Sequence, residues 1–139
     1  MSPYHVEHHG GLSEVPVYHC ADILWSENPL IRNTGHTFRA YRDLLVNEVV
    51  GSEGLVCTCN GFTVGAIVIG PQGMDSHFPG LGRIVYYSVT SKRHPGATVA
   101  LYRALTALLV AEGSEWYQTS RRRSLTEFTS KFRRVHRGA

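Results

Sequence analysis

The chain has 139 residues, 42% hydrophobic and 18% charged, with a formal net charge of +3. That length fits one domain, and that composition supplies a core, which excludes wholesale disorder. No apolar run approaches the ~20 residues of a membrane span, the N-terminus lacks a secretory signal pattern, and three cysteines are too few for a disulfide scaffold. An intracellular, reducing location is the expectation.

In chain order, residues 1–20 mix His, Gly, Pro and Tyr without period and read as an N-terminal arm, with residues 21–139 as a single domain. Asp22–Glu27 predicts a short helix that Asn28-Pro29 breaks. Thr37 caps the next helix, to about Val50, whose apolar stripe is Phe38, Tyr41, Leu45 and Val49. Asn60-Gly61 joins a hairpin of Leu55–Cys59 with Phe62–Ile69, because both turn residues accept positive φ. Gly70–Gly80 reads as a loop and Arg83–Thr90 as a strand. After Pro95-Gly96 a helix runs from about Ala97 to Glu112 and stops at Gly113. Its apolar positions spread widely enough that cover on two sides, by the sheet and by the arm or a second subunit, is expected. Glu115–Thr119 reads as a short strand. Ser124 and Glu127 form a capping box that predicts a last helix to about Phe132, and Arg133–Arg137 a final short strand.

The unit strand, helix, strand over 83–119 is a crossover and makes those strands parallel. The fold class expected is α/β: a mixed, mostly antiparallel central sheet flanked by helices. Charge is uneven along it. Residues 1–115 carry seven Lys/Arg and ten Asp/Glu, whereas residues 116–139 carry seven Lys/Arg and one acid, Glu127. Arg121, Arg122, Arg123, Arg133 and Arg134 are therefore candidate polyanion contacts, placed at the two ends of the expected last helix. Asp75 and His77 share an irregular loop, and Tyr86 and Tyr87 alternate to opposite faces of their strand. Cys57 and Cys59 share a strand face without a second pair, so no metal site is expected.

The stretch Arg93-His94-Pro95-Gly96-Ala97-Thr98, together with the order of elements over roughly residues 20–137, resembles the GNAT superfamily of acyl-coenzyme A N-acyltransferases. In that family a splayed strand is followed by a turn reading Gln/Arg-x-x-Gly-x-Gly/Ala. It opens a helix whose first N–H groups hold the coenzyme pyrophosphate, and a Gly turn at a helix N-terminus suits an anion. The resemblance implies acetyl-CoA as cofactor, with Arg93, Gly96, Ala97 and Thr98 binding it. Thr98 stands where Gly or Ala is usual, and Pro95 lacks a donor.

The family also places an Asn after the next strand and a Tyr on the last helix as general acid. Here Arg122 falls near the Asn, Thr129 follows Phe128 where Phe-Tyr is expected, and Arg133-Arg134 replaces Gly-Phe. Catalytic residues thus stay unassigned. The pattern of losses and the size resemble GNAT-like proteins of some tailed phages, small internal virion proteins among them. That resemblance implies a catalytically weak or silent structural protein of an assembly, such as a phage virion. Its partners would be other proteins or its own copies, in the host cytoplasm or the virion. Two alternatives stand beside it: an active acetyl-CoA-dependent N-acetyltransferase of unknown substrate, and a nucleic-acid-binding module using the basic C-terminal segment.

Overall fold

The computed structural model describes residues 2–136. One six-stranded sheet runs β1 (Tyr4–His9), β2 (Gly54–Cys59), β3 (Phe62–Gln72), β4 (Leu81–Thr90), β5 (Trp116–Arg122) and β6 (Phe128–Arg134), neighbours in space as in sequence. All neighbours are antiparallel except β4 and β5, which α4 (Pro95–Ala111) connects as a parallel pair. The helices α1 (Glu14–Glu27), α2 (Pro29–Arg32) and α3 (Phe38–Val49) precede β2. This is the mixed, helix-flanked sheet expected from sequence. Among the described residues no helix is long and apolar enough to cross a membrane.

The sheet separates two cores. On one face Leu101, Leu105 and Leu109 of α4 pack on Cys57, Ile67 and Val85. On the other, Val17 and Ala21 of α1 and Leu45 and Val49 of α3 pack on Val56 and Val68. Such spacings of three and four place one helical stripe against a sheet. Thr37 caps α3, its hydroxyl accepting the Ala40 N–H at 3.1 Å. Asn60 and Gly61 take φ of 52° and 82°, as the two-residue hairpin requires.

Residues 2–20, expected as an irregular arm, instead hold a strand and the start of a helix. Tyr4–His9 pair with β2, and α1 begins at Glu14, eight residues before the expected start at Asp22. The helical signal was in the sequence: Val17, Cys20, Ala21 and Leu24 recur at three, four and seven, and Pro16 is tolerated in a first turn. Tyr4 and Val6 join the α4-side core from within the sheet, while Val99 and Val110 of α4 stay exposed. α4 is therefore not covered on a second side within the described chain. β3 also runs three residues past Ile69, into the expected loop.

The largest departure is at the end. No helix follows Ser124 among the described residues; 128–134 are strand β6, paired to β5 in register from Trp116↔Arg134 to Arg122↔Phe128. The capping box is a local signal worth about 1 kcal/mol, and a full ladder on an open sheet edge outweighs it. Ser124 Oγ instead lies 3.4 Å from the Thr126 N–H within the hairpin turn. Arg133 and Arg134 belong to β6, and Arg137 lies outside the described residues.

Candidate functional site

β4 and β5 part company midway. Their last parallel pair is Val85↔Thr119; beyond it β4 pairs only with β3, and β5 only with β6. The backbone of residues 86–90 therefore presents one edge of N–H and C=O groups to a gap.

The divergence begins at a β-bulge. Val68 pairs with Tyr87 and Ile69 with Val85, so β4 carries Tyr86 as an extra residue. Facing confirms it: Val85 packs on the α4 side, but Val89, an even number of residues later, packs with Cys20 and Ala66 on the α1 side. Simple alternation would send Tyr86 and Tyr87 to opposite faces. With the bulge, both line one cleft of about 510 Å³, together with Glu48 of α3, Ser120 of β5 and Phe128 and Ser130 of β6.

The Tyr87 hydroxyl donates to Glu48 Oε2. Burial, reinforced by that carboxylate, pushes the Tyr87 phenol up to about 12. It therefore stays protonated at neutral pH and is a poorly matched proton donor. Glu48 is the carboxylate facing this cleft, and sequence reasoning missed it: nothing marks one exposed acid on α3 until β4 is seen to pass beside it. Asp75 and His77 do not join the site. Asp75 accepts the His77 N–H at 2.8 Å in a local turn, and neither lines the cleft. Thr129, where the resemblance looked for a phenol, sits on β6 and accepts from Arg123 Nε at 2.7 Å. Cys57 and Cys59 do share the α4-side core, and burial pushes the Cys20 thiol up to about 12, which leaves it inert.

At the far end of β4 lies the Arg93–Thr98 turn. His94 is the N-cap of α4 but makes no side-chain cap bond, and Pro95 fills the first turn. Most donors of the turn are already used. Lys92 N–H reaches Glu27 Oε1 at 2.6 Å, Arg93 N–H the Ser91 hydroxyl, His94 N–H the Ser91 carbonyl and Ala97 N–H the His94 carbonyl. Ala97 thus offers no free donor and is fully buried. The Gly96 N–H, in the first turn of α4, has no intrahelical carbonyl to bond and lies beside the exposed Arg93.

Glu27 holds this turn from the end of α1, accepting also from Ser91 Oγ at 2.8 Å. Burial pushes its carboxyl up, but the Lys92 N–H, the Ser91 hydroxyl and the Lys92 and Arg93 charges outweigh that and hold it below the usual carboxylate range.

Gly96 is required by packing. A Cβ there would lie 2.7 Å from Cε2 of Tyr4, whose ring crosses the turn and whose hydroxyl is 3.2 Å from His94 Nδ1. Gly96→Ala should therefore cost about 1–3 kcal/mol of stability with no ligand present. In a double-mutant cycle with Tyr4→Ala, measured by urea unfolding, the pair should cost less than the sum of the singles. Additive costs would show that the ring does not set the requirement.

No protein-family model matches the sequence, and no curated protein matches it. Solved structures do. Ard1 from Thermoplasma volcanium is 18% identical with a TM-score of 0.57, over 91% of this chain and 76% of that one. A ribosomal-protein-alanine N-acetyltransferase from Brucella melitensis biovar Abortus 2308 is 16% identical with a TM-score of 0.58, over 89% and 84%. An N-acetylglutamate synthase from Neisseria gonorrhoeae, complexed with coenzyme A and N-acetyl-glutamate, is 12% identical with a TM-score of 0.58. It is matched over 96% of this chain and 36% of its own. At these identities the likeness is one of fold.

Proposed function

Because the chain has the fold of the GNAT N-acetyltransferases, we propose that it binds acetyl-CoA in the gap between β4 and β5 and transfers the acyl group slowly or not at all. The observation that carries this is the parting of the two strands after Val85↔Thr119. It leaves the 86–90 backbone edge to bond an extended ligand rich in amides, in the manner of an added strand.

The residues present fit the coenzyme in part. The Gly96 N–H group and the Arg93 guanidinium suit a pyrophosphate. Pro95 and the internally bonded donors leave fewer contacts than a fully open turn. The branched Thr98 side chain stands in the same first turn, exposed where a pyrophosphate would approach. When bound, the coenzyme supplies an activated acyl thioester. The chain supplies Glu48 as a proton acceptor facing the cleft, and Tyr86 and Tyr87 as walls for the acceptor group. Tyr87, its phenol held near 12, is a poorly matched acid, and Thr129 is an alcohol on a strand. Slow turnover follows from that pairing of a usable gap with a poor acid.

Calorimetry with acetyl-CoA tests the reading. Saturable binding is expected, and Thr98→Ala, which removes the branched side chain without losing helix propensity, should tighten it severalfold. Absence of saturable binding in both proteins would remove the coenzyme from the function of this fold.

A further inference from the structure

The β5–β6 hairpin carries a charge that no ion pair among the described residues neutralises. Residues 116–136 hold six Lys/Arg and a single acid, Glu127. Among the described residues, none of the six enters an ion pair. The register distributes them over both faces. Arg122 and Arg134 share one face with Phe128 and Phe132, while Arg121, Lys131 and Arg133 share the other. The two basic clusters are thus not at opposite ends of a helix but on one narrow ribbon.

The aromatic face is arranged as a stacking surface. Phe132 stacks on Phe78 with centroids 4.0 Å apart and planes 7° from parallel. The Arg134 guanidinium lies 5.2 Å over the Trp116 ring. Phe128, at the tip side, is 62% exposed and has Arg122 4.3 Å from its ring centre. An exposed phenyl ring backed by a guanidinium, on a strand bordered by further cations, matches the two requirements of single-stranded nucleic acid: a π-face for an unpaired base and charges for the backbone.

We propose that this hairpin binds single-stranded nucleic acid, with Phe128 stacking a base and the cations of both faces holding phosphates. This rests on no part of the coenzyme reading. Two other occupants fit less well. An acidic strand added to the β6 edge would meet Lys131 and Arg133 but leave Arg121 and Arg122 of β5 one strand spacing, about 4.8 Å, further off. A second copy paired antiparallel through β6 would set cations against cations. A flexible polyanion reaches both faces and the tip.

The test is fluorescence anisotropy of a labelled oligothymidylate of about 12 nucleotides, within the span a small fold covers, with the full-length chain. Saturable binding at low salt is expected, weakening as salt rises with a log–log slope no steeper than about −4 for six neutralised phosphates. Phe128→Ala, an exposed change that circular dichroism should show to be folded, should weaken binding about tenfold. It should leave heparin binding unchanged. Arg121→Ser with Arg133→Ser should flatten the salt slope. Three results would overturn the proposal: no binding at low salt, equal binding of wild type and Phe128→Ala, or tighter binding of an alternating Glu-Val peptide than of the oligonucleotide.

Discussion

Arg83→Met should lower the unfolding free energy by about 1–2 kcal/mol, the cost of leaving two partly exposed carboxylates without their shared, charge-assisted hydrogen bonds. The Arg83 side chain is 17% exposed and joins β4 to β3 and to the residues flanking β2 and α4. Its Nη1 donates to Glu53 Oε1 at 2.6 Å and to the Gly70 carbonyl at 3.1 Å, and its Nη2 to Glu112 Oε2 at 2.7 Å. Glu53 also accepts from His8 Nε2 at 2.6 Å, which brings in β1. Methionine keeps much of the volume but leaves the Glu53 and Glu112 carboxylates without their shared cation.

The effect has a pH signature. Burial pushes the Glu53 carboxyl up, but hydrogen bonds from His8 and Arg83 and the Arg83 charge outweigh it and hold it below the usual range. A depressed carboxyl adds stability that is fully present above its unfolded pKa and is lost as pH falls through the folded one. Wild-type stability should therefore decline as pH drops below the usual carboxylate range, and Arg83→Met should show a shallower decline. Urea unfolding across that range measures both. A parallel pair of curves would mean that the network does not set the Glu53 titration.

Leu101→Ala should cost about 2–5 kcal/mol, toward the upper end. Leu101 is fully buried and sits with Leu105 and Leu109 on successive turns of α4. The helix rests there on bare backbone: a Cβ at Gly65 would lie 3.0 Å from Leu101 Cδ1 and 2.7 Å from the Val89 carbonyl. β3 is held on both edges by β2 and β4, so the floor of the site cannot rise to fill the hole. A cavity that cannot collapse carries the larger penalty. The urea midpoint should fall with an unchanged m-value; a loss below about 1 kcal/mol would show that α4 resettles on the sheet. Because the Gly96 N–H opens the same helix, the proposed acetyl-CoA binding should weaken with it.

What the amino-acid sequence determined by itself was everything that local chemistry specifies without a partner. Asn60-Gly61 admits one hairpin because few residues tolerate two successive positive φ angles. Thr37 starts α3 by its own hydroxyl. The run from Arg83 to Glu115 dictates a crossover because parallel strands need a long connection, and the helix-flanked mixed sheet follows from that order. Tertiary structure decided the rest. β1 is held to the sheet by main-chain bonds to β2 and by Tyr4 and Val6 against α4, which its His-rich sequence does not display. Residues 124–134 contain a sound capping box yet become a strand, because the open edge of β5 offers a whole ladder of bonds against one local cap. The same pairing moves Thr129 away from any catalytic helix and gathers the basic clusters on one ribbon. The bulge at Tyr86 lay furthest from view: one extra residue in β4 reverses which face each side chain meets, and only the pairing with β3 reveals it. The cleft of Tyr86, Tyr87, Glu48 and Phe128 exists because of that single residue, and these members come from three segments, α3, β4 and β6, that no spacing in the chain connects.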